Sequence, residues 1–320
     1  MPTPRTARLL AVLAFVAVGA AGLQLRWGGQ DAPLDTLRIG VGPWIGYEPF
    51  VAERELGDWP EGLTLIELES NTETLDAFIE GRVDVAGLTL DETLRLARRG
   101  VDHRVIAVLS DSRGGDAVLG RPGLQGLADL RGRPVLVEDT AVGRLMLAAG
   151  LREVGLSTSE VQMERTQATR IGQVWSRGYA DAVVAYSPVI EQLKAQGAVE
   201  LFSTRDHPGL VLDVLVARPE ALQRPAAVAA MRAAWDRGVA RLAARDDADA
   251  AVLAPGLGLS AAEYQTALEK VELMTGARSD AMFDGHPSPF DASLQRIEAE
   301  WPPGPGERRA APVLAPGGRP

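Results

Sequence analysis

Side chains able to perform covalent or metal chemistry are few in this chain and poorly spaced for it. There is no cysteine, which removes thiol nucleophiles, thiolate metal sites and disulfides together. His103, His207 and His286 stand apart with no metal-ligand spacing, and Lys194 and Lys270 fall on predicted helices. No base accompanies a serine, and Gly40-Val-Gly42 is too incomplete for a dinucleotide loop. The residues point to binding without catalysis, with no cofactor and no metal. What the chain does place well is a set of aromatic, hydroxyl, amide and carboxylate side chains at the ends of predicted strands. They are Trp44 and Tyr47, Asn71 and Thr72, Thr89 and Asp91, Glu138 and Thr140, Tyr186, and Asp213. Such groups can surround a small polar ligand. Trp44 and Tyr47 lie in a Gly/Pro-bounded turn and not at core spacing, which suits an aromatic wall.

The elements that must position these groups repeat. Gly81-Arg-Val-Asp84-Val-Ala-Gly-Leu and Gly178-Tyr-Ala-Asp181-Ala-Val-Val-Ala share one pattern, in which a helix stops at glycine, an aspartate follows, and an apolar strand leads to a polar turn. One α/β unit used in two halves implies two similar lobes with a cleft between them, faced by the strand ends. Before the first copy come a strand over Leu37 to Val41, a helix over Phe50 to Leu56 with Pro49 in its first turn, and a strand over Leu63 to Leu68. Ser70-Asn-Thr-Glu73 and Thr89-Leu-Asp-Glu92 have capping-box spacing. The second half repeats the order: a strand ending at Glu138, a helix from Ala141 to Val154, then helices over Ala168 to Arg177 and Val189 to Gln196. Asp111 to Gly115 and His207 to Leu210 read as two crossings between halves. Residues 37–116 and 211–290 are expected to form the first lobe and 117–210 the second, with a helical C-terminal segment after Pro219. Asp84 and Asp181 most simply tie down the turn after each helix, so the candidate site lies a few residues downstream.

Composition sets the remaining bounds. With 46% hydrophobic and 24% charged residues the chain is of ordinary globular type, and its net charge of −10 disfavours nucleic acid as a partner. Residues 1–22 carry Arg5, Arg8 and an apolar run of about 15 residues, a signal-peptide pattern too short to span a bilayer comfortably. Export to the periplasm as a monomer is the expectation, with an uncleaved N-terminal anchor as the alternative. Residues 301–320, rich in Pro, Gly and Arg, read as a disordered tail.

Gly42-Pro-Trp-Ile-Gly-Tyr-Glu-Pro49, Gly81-Arg-Val-Asp84 with Leu88-Thr-Leu-Asp-Glu92, Leu127-Ala-Asp-Leu-Arg-Gly132, and Asp181-Ala182 with Pro188 together resemble the nitrate/sulfonate/taurine family of ABC-transporter substrate-binding proteins, over roughly residues 37 to 290. The resemblance implies a type II periplasmic binding protein: two α/β lobes on a two-crossing hinge that close over a small ligand and deliver it to a membrane permease. Closure requires ligand contacts from both lobes. The same fold family includes a thiamine-pyrimidine synthase that depends on a lysine and a histidine, and here neither residue type falls at a suitable strand end. A lyase or synthase on this scaffold and a membrane-tethered sensor are the rival readings.

Two signals pull the ligand's charge in opposite directions. Backbone N–H groups opening helices after Asn71, Thr89 and Thr140 would favour an anion, although helix capping explains Ser70, Thr89 and Thr140 equally well. Glu48, Asp91, Glu138, Asp139 and Asp213 outnumber Arg113 and Arg144 among the candidates, and an oxyanion usually recruits an arginine fork. If those acids face the cleft, an amine-bearing ligand fits better than nitrate or sulfonate.

Overall fold

The computed structural model describes residues 36–138, 141–166 and 170–300. The signal-peptide reading of residues 1–22, the tail at 301–320 and the candidate Thr140 lie outside the described residues. Eleven strands form two mixed sheets among the described residues. The first, six-stranded sheet contains β1 (Leu37–Val41), β2 (Leu63–Glu67), β3 (Val85–Thr89), β4 (Arg104–Ser112), β10 (Leu212–Ala217) and β11 (Val271–Leu273), in the order β11-β4-β10-β3-β1-β2. The second contains β5 (Asp116–Gly120), β6 (Pro134–Glu138), β7 (Gln162–Thr166), β8 (Ala182–Tyr186) and β9 (Val199–Ser203), in the order β7-β6-β8-β5-β9. Helices α1 (Glu48–Leu56), α2 (Asn71–Ile79) and α3 (Leu90–Arg98) follow the first three strands. In the second sheet α4 (Ala141–Glu153), α5 (Ile171–Ser176) and α6 (Val189–Ala195) follow β6, β7 and β8.

The sequence repeat has a topological meaning. β3 and β8 each have a parallel neighbour on one side, β1 and β6 respectively, and an antiparallel neighbour on the other, β10 and β5. Both therefore sit where the strand direction switches, which is where ligands bind in open α/β sheets. Gly81 and Gly178, at φ +73° and +77°, end the preceding helices in the left-handed region that glycine enters without a Cβ clash. The two aspartates then tie strands together: Asp84 accepts from the Arg38 backbone N–H at 2.9 Å and pairs with its guanidinium, and Asp181 pairs with Arg133 at 3.1 Å. Both act at the strand starts, away from the polar ends.

The chain crosses between the sheets twice, once from β4 to β5 and once from β9 to β10. Thr204, fully buried, holds the crossings together, because its Oγ1 lies 2.8 Å from Ser112 Oγ and accepts from the Gly114 N–H at 2.9 Å. Asp111 reinforces them by accepting from the Gly209 N–H at 3.0 Å. The Gly-rich segment that reads in sequence as flexible is thus pinned by hydrogen bonds from the second crossing.

After β10 the chain is helical, as expected: α7 (Pro225–Ala243), α8 (Asp247–Leu253), α9 (Ala261–Leu268), α10 (Gly276–Ala281) and α11 (Pro289–Glu300). One departure is β11, which pairs antiparallel with Ser110 to Ser112 of β4. Three residues at a sheet edge carry too little alternation to read as a strand. The capping-box spacing at Ser70 is half realised: Ser70 Oγ accepts from the Glu73 N–H at 3.1 Å, while Glu73 accepts from Glu69 and not from Ser70. Trp175 and Trp235 are core residues, and Trp235 meets Phe50 edge-on at 4.9 Å between α7 and α1.

That helix pair fixes the segment carrying Trp44 and Tyr47, and its closest approach is at Gly238, where an added Cβ would lie 1.9 Å from the Pro49 carbonyl oxygen. Gly238→Ala should therefore cost about 1–3 kcal/mol through forced separation of α1 and α7. Gly172→Ala, on α5 with open space around it, should instead raise stability by about 0.5–1 kcal/mol. Chemical denaturation of the two variants checks both signs.

Candidate functional site

The switch-point strands bring their polar ends together with those of their antiparallel neighbours. In the first sheet Asp213 of β10 lies opposite Thr89 of β3 and Ser110 of β4. In the second, Asp116 of β5 lies opposite Tyr186 of β8. Glu138 ends β6, which pairs with β8 on its other side. The two sets face each other, since the Trp44 and Tyr186 rings meet edge-on at 5.8 Å. Lys270, just before β11, also pairs with Glu191 of α6 across the divide.

Asp213 organises the first face. It is 1% exposed and accepts from Trp44 Nε1 at 2.8 Å, from the Tyr47 hydroxyl at 3.1 Å and from Ser110 Oγ. The aromatic wall is thus partly corrected. Tyr47 is a core residue with its ring over Gly87, and Trp44 is buried, with its ring over Gly115 and its N–H already committed. Neither aromatic spacing nor the Gly/Pro turn reveals this, because the acceptor comes from a strand far along the chain.

Around this hub the carboxyls lack cationic partners. Asp91, at the first turn of α3, is 1% exposed; the Thr89 hydroxyl and its own backbone N–H are the donors beside it, and neither meets its oxygens in good hydrogen-bond geometry. Thr89 Oγ1 and Asp116 Oδ2 are likewise buried and unpartnered. Burial pushes Asp91 and Asp213 up to about 6. Burial, with the charges of Asp213, Asp91 and Glu138 adding to it, pushes Asp116 up to about 7. Glu138 is raised to about 7 by burial alone, and Glu92 to about 8 by burial and then the Asp91 charge, although its carboxylate accepts from the Thr89 N–H at 3.0 Å. The Tyr186 hydroxyl is held protonated by burial and by the charges of Glu138 and Asp116. Asp116 of the second sheet therefore senses the Asp91 and Asp213 charges of the first.

Not every candidate joins the cluster. Glu48, counted among the cleft acids from sequence, accepts from the Tyr264 hydroxyl at 2.8 Å and faces α9 instead. Asn71 and Thr72 open α2 at the end of β2, with the Asn71 side chain against Gly42 and its Oδ1 unpartnered. Arg113 is occupied by Asp111 at 3.1 Å and Glu272 at 2.7 Å. Asp116, Ser110 and Glu92 were missed. Asp116 directly follows the Gly114-Gly115 crossing, and an acid opening an apolar run after two glycines is the signal that marks it. The histidines stay apart: His103 contacts the Val101 carbonyl and His207 lies beside Arg296.

Residues 62–248, more than half of the chain, match the NMT1/THI5-like family. The chain belongs to the NMT1/THI5-like family. Solved structures share its fold. The alkanesulfonate-binding protein SsuA of Xanthomonas axonopodis pv. citri, bound to MOPS, aligns with a TM-score of 0.66 at 16% identity, covering 83% of this chain and 90% of that one. The periplasmic aliphatic sulphonate-binding protein SsuA of Escherichia coli gives 0.65 at 18% identity, covering 83% and 91%. The ligand-binding component of an ABC-type import system from Staphylococcus aureus, with zinc bound, gives 0.69 at 12%, covering 88% and 97%. No curated protein sequence matches the chain. The two-lobed periplasmic-binding-protein architecture expected from the motifs is therefore the fold of this NMT1/THI5-like chain. Among the described residues no helix is long and apolar enough to cross a membrane.

Asp213→Ala should destabilise the protein by about 3 kcal/mol, because it strands the buried Trp44 and Tyr47 donors; urea unfolding measures this. Glu138 keeps its proton to about pH 7 in the folded protein but ionises near 4.5 when unfolded, so the native state binds more protons in that window and loses stability as pH rises through it. Glu138→Gln should accordingly gain in melting temperature over the parent as pH is raised from 5 to 8, and show no such gain at pH 4.

Proposed function

We propose that this chain is a periplasmic solute-binding receptor that captures one small polar organic ligand between its two sheets and passes it to the permease of an ABC importer. The observation that carries this reading is the meeting of strand-end groups from two topologically equivalent positions. Thr89 and Asp213 stand at one switch point, Asp116 and Tyr186 at the other, and Trp44 touches Tyr186 between them. A ligand held there contacts both sheets, so it has the differential affinity needed to favour the closed arrangement. Of the candidates, Trp44, Thr89, Asp91, Glu138, Tyr186 and Asp213 form the ligand-facing set, with Tyr47 positioning Asp213, while Asn71, Thr72 and Thr140 serve as outer contacts.

Two of the relatives in fold are sulfonate-binding proteins and a third is the zinc-bound ligand-binding component of an ABC-type import system, which supports the receptor role for this scaffold. Export follows from the basic and apolar N-terminal segment, and the receptor acts as a monomer with residues 37–116 and 211–290 in one lobe and 117–210 in the other. Nothing in the cluster suggests turnover. Lys194 and Lys270 are both paired with glutamates, and no histidine reaches Asp91, Asp116 or Asp213.

Differential scanning of the purified protein against a mixture of small metabolites tests the proposal. A ligand at 100 times its Kd should add about 2.7 kcal/mol of stability. Asp116→Ala should abolish that gain while the apo protein stays folded. A protein whose melting is indifferent to every solute is not a receptor.

A further inference from the structure

The sulfonate-binding relatives carry an anionic ligand, yet the polarity of this site is the reverse. Four carboxyls stand around the meeting of the sheets, Asp91 and Asp213 from the first and Asp116 and Glu138 from the second. Among the described residues no arginine donates a hydrogen bond to this set: Asp213 is served by Trp44, Tyr47 and Ser110, and Arg113 is held by Asp111 and Glu272. Arg95, one turn along α3, is the cation whose charge Asp91 senses, and it donates no hydrogen bond to either Asp91 oxygen.

The unpartnered atoms specify more than a charge. Asp91 Oδ1 and Oδ2, Asp116 Oδ2 and Thr89 Oγ1 are all buried in residues less than 10% exposed, and all four can accept. Buried acceptors left without donors cost about 1–3 kcal/mol each, more when charged, so the ligand must bring N–H or O–H donors to them, and among several carboxyls an N–H cation supplies donor and counter-charge in one group. A quaternary ammonium supplies charge and no donor. A primary ammonium supplies three donors on one nitrogen, and an amidinium or guanidinium a planar fork. The donor geometry of a primary ammonium or an amidinium therefore matches these acceptors. The Trp44 and Tyr186 rings supply the apolar and quadrupolar wall for the carbon skeleton next to such a head group.

Resting on the receptor reading above, we infer that the ligand of this site is an organic cation bearing N–H donors, a primary ammonium or an amidinium, whose head group bridges Asp91 and Thr89 of the first sheet and Asp116 of the second. Burial, the main cause of the raised Asp91 and Asp116 values, and the neighbouring carboxyl charges would both be offset by a cationic head group placed among them.

Titration calorimetry at pH 7.5 on the purified chain tests this with matched probes: ethanolamine, putrescine and agmatine, the N-trimethyl counterpart choline, and ethanesulfonate. At least one of the N–H cations should bind, choline should bind at least tenfold more weakly than ethanolamine, and ethanesulfonate should give no heat. Asp91→Asn should lower affinity for the bound cation at least tenfold while leaving the apo melting temperature unchanged or higher, because it removes a buried, unpaired carboxyl; a purely structural aspartate would show the opposite pattern. Binding of ethanesulfonate, equal binding of choline, or capture of a neutral or anionic metabolite in the absence of any cation binding overturns the inference and leaves the receptor reading standing. Silence toward every probe and every metabolite overturns both.

Discussion

The arrangement of the site depends on one buried carboxylate. Asp213 lies in the middle of the first sheet, between β3 and β4, and its negative charge is tolerated there only because an indole N–H, a phenol and a serine hydroxyl point at it. Those donors come from two places: the turn after β1, which carries Trp44 and Tyr47, and the end of β4, which carries Ser110. The carboxylate thereby fixes the turn against the sheet and aims the Trp44 ring toward Tyr186. Packing of α1 on α7 at Gly238 holds the same segment from behind. A polar hub and an apolar clamp therefore position one side of the cleft between them.

The other carboxyls have no such satisfaction, and the contrast between them is informative. Asp84 and Asp181, the aspartates of the sequence repeat, are paired with arginines at the strand starts and serve the fold. Asp91 and Asp116, at the far ends, are buried with no cationic partner, and both Asp91 oxygens and Asp116 Oδ2 lack a well-formed hydrogen bond. A protein interior tolerates an unpaired carboxyl poorly, and burial drives both toward the protonated form. Structural need explains the first pair of acids and not the second. Cost without structural return is the usual mark of a place reserved for something else.

The two crossings couple these faces. Thr204 joins Ser112, Gly114 and Asp116 in one hydrogen-bonded knot, and Asp116 is also one of the acids proposed to face the ligand. A group that binds at Asp116 thus acts within one residue of the segment about which the sheets would have to rotate. In type II receptors closure must be linked to occupancy. In the receptor proposed above that link would be short, running from the Asp116 backbone through the Thr204 hydroxyl to the crossings.

The sequence by itself determined the local units. Gly81 and Gly178 as helix stops, the apolar runs of β3 and β8, the helices that follow them and the placement of polar residues at strand ends are all set by neighbours within a few positions, and period and capping show them directly. The repeat also indicates that two strands occupy equivalent positions. Tertiary structure decided what those strand ends meet. Asp213 became a hub because β10 returns between β3 and β4 after more than a hundred residues. Asp116 entered the cluster because β5 pairs with β8, and Glu48 left it because α9 brings Tyr264 to that helix end. Antiparallel pairing and helix docking act between residues remote in the chain, so no local spacing carries them. The sequence could therefore count more acids than bases, but only the fold could show which acids are already satisfied and which still await a donor.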